Sequence, residues 1–548
     1  MSLLDSASLI VTPNGYSENT IYSVIPSSGA GDLSFTRATD AWRTDSQGLI
    51  QRTPWNLLRF SEQFENVFWS KNTSTVISNN AIAPNGILTA DKIFPNSTGS
   101  VRGVFTANHP INTYNFSVFA KADGKNFLYF YVLGSTANTG VWFNLSNGTI
   151  GTVGAAWTNA AITNVGNGWY RCSANVSLIN ATNNLYYFIS DANNDINVTA
   201  NGSDGILLWG AQLTESTSTL EYFPTTDRLD VPRIDYSLGG CPNILLEPQR
   251  TNLVLFSEQF DNASWTKSDT TITANTTISP SGVQNADTMS LTGTTSRVIA
   301  PNTLSAGTYT ISVWIRILSG SGTMRFNLTL DGVNTNVIFS PTNQWQRFTT
   351  TFTAATSATL IAFRAQTFVG DVAIWGAQLE TGSYPTSYIP TTNASVTRNA
   401  DSFTRNNVFT NGFITAAGGT WFVELRNNIT YTRDNALGTL ALSDGSGNNA
   451  FRIRNIGTAN SQLRVQKVVG GTASDLFTLT TSTVKIAIKW NGSTCDVFVN
   501  GIKEVLASAF TSTILENLTS VPQVPIYINK MALFPTPLTD AECIALTT

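Results

Sequence analysis

One histidine occurs in the chain, His109, and Pro110 follows it. A His-dependent nucleophile triad or a multi-His zinc site would have to use this residue alone. A lone His before Pro in a loop reads as structural. The four cysteines, Cys172, Cys241, Cys495 and Cys543, are scattered and form no CxxC pair. Each reads as a reduced, buried thiol rather than a member of a disulfide frame. No phosphate loop, dinucleotide fingerprint or GxSxG elbow occurs. Carboxylates are the remaining candidates, because a glycosidase needs two of them across one cleft. Glu62/Glu258, Glu65/Asp261 and Asp91/Asp287 recur as pairs. Glu62 and Glu65 flank a turn-like Ser-Glu-Gln-Phe-Glu-Asn segment, where acids bond backbone N–H groups. No catalytic residue, metal ligand or cofactor is assigned, and the chain is expected not to be an enzyme.

Aromatic residues form the other chemical group. Trp69/Trp265, Trp169/Trp345 and Trp209/Trp375 could be sugar-stacking platforms, but their recurrence at equivalent points suits core anchors. A different signal lies at Asn126-Phe-Leu-Tyr-Phe-Tyr-Val132. At period two, Phe127, Tyr129 and Tyr131 share one face and Leu128, Phe130 and Val132 the other. The matching Met324-Arg-Phe-Asn-Leu-Thr-Leu330 has one polar face. Phe127, Tyr129 and Tyr131 are therefore the candidate contact surface. Three coverings fit: the chain's own longer loops, a neighbouring subunit, or a ligand.

Positioning these residues requires strands. Asn-Gly and Asp-Gly dipeptides, which accept the positive φ of tight hairpins, recur throughout and separate short Val-, Ile-, Thr- and aromatic-rich segments. The best helix signal is Thr539-Asp-Ala-Glu542, a capping box before Cys543-Ile-Ala-Leu546. Val484–Trp490, Asn491-Gly and Asp496–Gly501 read as a hairpin. The expected class is all-β.

An internal repeat sets the organisation. Asn56-Leu-Leu-Arg-Phe-Ser-Glu-Gln-Phe-Glu-Asn-Val-Phe-Trp69 recurs as Asn252-Leu-Val-Leu-Phe-Ser-Glu-Gln-Phe-Asp-Asn-Ala-Ser-Trp265, an offset of 252 minus 56, or 196. Each copy closes on Trp-Gly-Ala-Gln-Leu, at 209–213 and 375–379, and exits through Pro-Thr-Thr. The modules run over 54–226 and 250–392, far longer than solenoid units. An opening and a closing motif suggest that the first and last strands pair and seal the edge. Residues 1–53 read as an anchoring or oligomerising lead-in, 227–249 as a docked connector, and 396–548 as a third domain.

Composition limits the function. Charged residues make up 12%, against about 25% in typical soluble domains. The net charge of -4 offers no electrostatic reason to bind nucleic acid or anionic membrane, and no apolar run is long enough to span a bilayer. The N-terminus lacks the pattern of a secretory signal. A surface of hydroxyls and amides without an export signal fits a virion component, assembled in the host cytoplasm and exposed on the particle.

The opening motif resembles the start of jelly-roll carbohydrate-binding modules. Its combination with Trp-Gly-Ala-Gln-Leu, Tyr388-Ile-Pro-Thr-Thr392, Leu245-Leu-Glu-Pro-Gln-Arg-Thr-Asn-Leu253 and Phe35-Thr-Arg-Ala-Thr-Asp-Ala-Trp42 is similar to appendage and fibre proteins of tailed bacteriophages of Bacteroidetes, including the crAss-like group. Residues 488–501 and 533–542 resemble a concanavalin A-like, laminin-G-type sandwich. The resemblances imply tandem jelly-roll β-sandwiches plus a C-terminal concanavalin A-like sandwich. They also imply a homo-oligomer, a trimer by the appendage likeness, with other virion proteins and host surface glycans as partners. Many such modules hold a structural calcium through an acidic pair on the last strand; Trp-Gly-Ala-Gln-Leu lacks that pair in both copies. The function expected is a non-enzymatic virion surface appendage. A secreted bacterial glycan-binding or adhesin protein and a polysaccharide depolymerase are the alternatives.

Overall fold

The computed structural model describes residues 3–180, 182–330, 333–354, 358–426, 438–456, 462–479, 483–512 and 514–548. The chain is all-β, with one α-helix among the described residues, Asp540–Thr547. That helix starts at the capping box: the Thr539 hydroxyl accepts from the Glu542 N–H, and the Glu542 carboxylate accepts from the Thr539 N–H. Among the described residues no helix is long and apolar enough to cross a membrane. Two compact units form, Pro54–Arg228 and Met1–Thr53 with Leu229–Thr548.

The smaller unit is module 1, two antiparallel six-stranded sheets. In one, the strands run in the order Thr149–Val153, Gly140–Asn144, Phe127–Leu133, Asn184–Ser190, Arg102–Ala107, Ser70–Asn72. The other centres on Thr113–Asp123, between Trp169–Ser177 and Gly205–Thr214. Alternation places Leu128, Phe130 and Val132 inward, against Phe116, Tyr187 and Trp157. Phe116 and Tyr187 stack with ring centroids 4.3 Å apart.

The opening motif is not the first strand that the repeat suggested. Residues 56–58 run beside the closing strand as irregular chain, held by one side chain. The Asn56 Nδ2 donates to the carbonyls of Ala211 and Phe223, and its Oδ1 accepts from the Leu58 and Leu213 N–H groups. Gln212 clamps the exit segment in turn, accepting from the Phe223 N–H. Asn252 and Gln378 repeat both devices in module 2. An amide replaces a strand edge here because it can donate and accept at once. The closing strand carries a bulge at its glycine, with φ of 64° at Gly210 and 65° at Gly376. A Cβ at Gly376 would sit 2.9 Å from the Trp314 ring, so both the backbone and the packing demand glycine.

In the larger unit, module 2 repeats the sandwich with two five-stranded sheets. The C-terminal sandwich is built from more of the chain than its own 396–548. Leu9–Ser17 pairs with Ile526–Phe534, Leu33–Thr36 with Ser402–Arg405, and connector strand Asn243–Leu246 with Ile526–Phe534. Residues 1–53 are thus not a separate lead-in. Their apolar residues Leu9, Val11, Ile21, Leu33 and Phe35 complete a core with Trp421, Val423, Leu442 and Phe451. Without them that core would lie open to water. The predicted hairpin forms, Thr483–Trp490 pairing with Thr494–Val499. The remaining lead-in strands, Ala41–Thr44 and Ile50–Thr53, make a small hairpin whose Ile50 N–H donates to the Pro280 carbonyl of module 2.

A buried ionic cluster joins these segments. Arg37 reaches Asp401 at 2.8 Å, Arg233 reaches Glu247 at 2.6 Å and also Asp401, and Arg398 reaches Glu247 at 2.6 Å. The Ser387 hydroxyl donates to Glu247, and the Glu247 N–H donates to Asp401. All five charged side chains are buried. One comes from the lead-in, two from the connector and two from the start of the C-terminal domain. Buried charges must be paired, so each segment is held in one register relative to the others.

Candidate sheet-face and cleft sites

The repeated acids Asp91/Asp287 and Glu62/Glu258 make matching hydrogen bonds in the two modules. Asp91 accepts from the Phe64 and Asn79 N–H groups, and Asp287 from those of Phe260 and Asn275. Burial pushes the Asp91 carboxyl up to about 7, with a further push from Glu65, against the downward pull of the two N–H groups. Asp287 rises to about 6, mainly through burial. Glu62 accepts from the Tyr222 hydroxyl, and Glu258 from Tyr388 and the Asn285 amide. His109 is buried, with its ring 3.2 Å from the Thr106 hydroxyl, and burial lowers its pKa to about 4. Cys172, Cys495 and Cys543 are buried thiols; Cys241 departs from expectation and is exposed in a connector turn. Among the described residues no three His, Cys, Asp or Glu side chains converge on a metal-sized site.

The candidate aromatic face of module 1 divides in two. Register sets Tyr129 opposite both Phe188 and Trp142, with Tyr129 and Trp142 stacked at 5.1 Å. Module 1's own segment 190–198 lies over them: the Trp142 Nε1–H donates to the Asp195 carbonyl and the Tyr129 hydroxyl to that of Ile196. Tyr129 is fully buried and presents no surface. This segment belongs to the longer second half of module 1; module 2 links its corresponding strands, Ala358–Ala365 and Gly370–Thr381, by only a short turn. Phe127 sits at the sheet end, half-buried, opposite Ser190 and Asn144.

The next row is different. Phe105, Tyr186 and Tyr131 are direct cross-strand neighbours on three adjacent strands. Their ring centroids lie 4.7 Å (Phe105–Tyr186) and 5.9 Å (Tyr131–Tyr186) apart. Phe105 and Tyr131 keep part of their surface in solvent, and the Asn184 amide donates to the Tyr186 hydroxyl. Such a row offers apolar ring faces with polar edges, which suits the apolar faces and hydroxyl rims of sugar rings. Tyr131 was legible from alternation. Phe105 and Tyr186 were not, because only pairing of strands distant in sequence brings them together.

Five of the six repeated tryptophans are core residues; Trp345 is not. It borders a cleft of about 450 Å³ in the larger unit, shared with Trp42, Trp314, Tyr388, Arg43 and Arg347. Arg347 lies 4.3 Å over the Trp314 ring and Arg316 5.3 Å over that of Trp345. Asp235, which orders the cleft wall by accepting from the Thr44 and Ser237 N–H groups, adds a carboxylate. The cleft thus offers stacking faces with charged hydrogen-bonding groups. The sequence contained Trp345 but no sign that a hairpin from residues 41–53 would wall the site.

No family model matches the chain, and no curated protein matches it. Among solved structures, the tandem CBM22-1-CBM22-2 domain of Paenibacillus barcinonensis Xyn10C is similar at 11% identity over 60% of this chain and 97% of that one, with a TM-score of 0.20. The CBM22-1-GH10 modules of Clostridium thermocellum xylanase 10B, complexed with xylohexaose, are similar at 15% identity over 26% and 30%, TM-score 0.19. The enzymatically active domain of Bacteriophage CBA120 tailspike protein 4 is similar at 17% identity over 23% and 21%, TM-score 0.19. At TM-scores this low the fold assignment rests on the sheets themselves: two jelly-roll β-sandwiches and a larger C-terminal one.

Proposed function

We propose that the chain is a non-enzymatic surface appendage protein of a tailed-phage virion, whose sandwich modules contact host-cell glycans. The half-open Phe105–Tyr186–Tyr131 row carries the glycan reading. The virion reading is supported by the motif resemblance, because the motifs at 35–42 and 245–253 hold Arg37 and Glu247 of the buried cluster. They describe an architecture rather than a ligand. Shallow stacking sites gain avidity when repeated on an oligomer. A trimer is part of the proposal, to be checked by sedimentation equilibrium; a monomeric mass would remove it.

The test uses capsular polysaccharide extracted from the host bacterium. Phe105→Ala and Tyr131→Ala are each expected to weaken retention by about 2- to 10-fold, from roughly 0.5–1.5 kcal/mol per lost ring. Unchanged retention in the double variant would remove the row from glycan contact. The same row would serve a secreted bacterial glycan-binding protein. Mass spectrometry of purified particles separates the two, since that alternative predicts the chain in culture supernatant and not in virions.

A further inference from the structure

The sheet face that carries aromatic rings in module 1 carries arginines in module 2. Core residues align the copies: Phe130, Tyr187 and Val104 are adjacent in one sheet, as are Phe326, Phe363 and Val298 in the other. One position outward, module 1 has Tyr129, Phe188 and Gly103, and module 2 has Arg325, Arg364 and Arg297. Register sets Arg364 directly opposite Arg325 on one side and Arg297 on the other. Neighbouring strands lie about 4.8 Å apart, so the three residues span roughly 10 Å in a line.

Like charges directly opposite on adjacent strands oppose folding. Among the described residues none of the three arginines is in an ion pair. Arg325 donates to the Gln366 side chain and Arg364 to the Thr294 carbonyl, both uncharged; among the described residues none accepts from the Arg297 side chain. Partial burial, with Arg325 and Arg297 beside it, holds the Arg364 guanidinium below its ordinary pKa. The row runs from Ser268 through the three arginines to the exposed Ile338, and the adjacent row holds Asn336, Asn327, Ala362 and Ile299, the Asn327 amide donating to Asn336. A protein interface would centre on a cluster of aromatic or aliphatic anchors, and this row exposes one aliphatic side chain, Ile338, at its end. A nucleic-acid groove would add stacking rings. Three guanidinium groups in line, with the Ser268 hydroxyl at one end and the Asn327 and Asn336 amides in the next row, fit a hydroxyl-rich chain that carries regular negative charges.

We propose that the Arg297–Arg364–Arg325 row binds an acidic polysaccharide, with each carboxylate or sulfate bridging adjacent guanidinium groups. The proposal deepens the glycan reading above, at a different site and for a different sugar class.

The experiment is affinity electrophoresis of the full chain through gels containing polygalacturonate, dextran sulfate or neutral dextran, at low and high salt. Retardation is expected in at least one acidic gel and not in neutral dextran, and the two acidic arms separate a carboxylate from a sulfate ligand. R364Q and R325Q are each expected to weaken it about tenfold and to flatten its salt dependence. R325K, which keeps the charge without the planar fork, is expected to fall between. Because like-charge contact is relieved, the unfolding temperature of both Gln variants should hold or rise. Four results would overturn the proposal: no retardation in either acidic gel, equal retardation of the Gln variants, equal binding to double-stranded DNA, or a lower unfolding temperature in both Gln variants. The assay uses neither host cells nor particles, so its failure leaves the reading of module 1 standing.

Discussion

Glu247→Gln is expected to destabilise the larger unit by about 3–5 kcal/mol. Glu247 stands between Arg233 and Arg398, each 2.6 Å away. Burial alone would raise its carboxyl pKa, but those two guanidinium groups, with the Ser387 hydroxyl, hold it down to about 2. The glutamine keeps the shape and removes the charge. Three buried guanidinium groups would then share Asp401 alone, and an uncompensated buried charge is costly. Because the folded pKa lies below the usual 4.5, this contribution is complete above about pH 4.5 and is lost as pH falls through about 2. Denaturant unfolding of the full chain, followed by tryptophan fluorescence, measures the change. A loss below about 1 kcal/mol, the level of a solvated pair, would remove the cluster's role as the joint between lead-in, connector and C-terminal domain.

Asp91 should show the opposite pH slope. Its folded pKa is raised to about 7, from a usual 3.8, so the folded state keeps a proton that the unfolded chain releases. Its contribution is complete below about pH 4 and is lost as pH rises through about 7. Asp287 repeats this with an upper limit near 6. Asp91→Asn should flatten the dependence between pH 4 and 7. It should also lower stability by about 1–3 kcal/mol, because an amide has one acceptor oxygen for the two N–H groups of Phe64 and Asn79. Calorimetry of the full chain across that range tests both statements. An Asn variant with the wild-type slope would show that the carboxyl titrates in the ordinary range.

These two acids also mark how far the sequence could be read. Both lie in recognisable places, Asp91 in the repeat and Glu247 in the Leu-Leu-Glu-Pro motif. The repeat made Asp91 visible as shared between the copies, and the turn reading expected the acids of this region to bond backbone N–H groups. It placed that bonding on Glu62 and Glu65, however, whereas Asp91 reaches across 27 residues to the Phe64 N–H. Glu247 gave a weaker signal, a charge amid apolar residues in a chain with few charges. Its partners Arg233 and Arg398 lie 14 and 151 residues away, and no local pattern encodes such pairings.

The sequence by itself determined the all-β class, the duplication, the C-terminal hairpin and the capped helix. All of these depend on period-two alternation, turn dipeptides or contacts a few residues apart. It also placed an aromatic excess on the strand at 127–133 of module 1. Only the tertiary structure decided what that excess does, because burial on a sheet face depends on what lies across and above it. Segment 190–198 takes Tyr129 into the core, and pairing with distant strands adds Phe105 and Tyr186 to Tyr131. The same long-range pairing weaves the strands of residues 9–36 into the C-terminal sandwich and lines up three arginines in module 2.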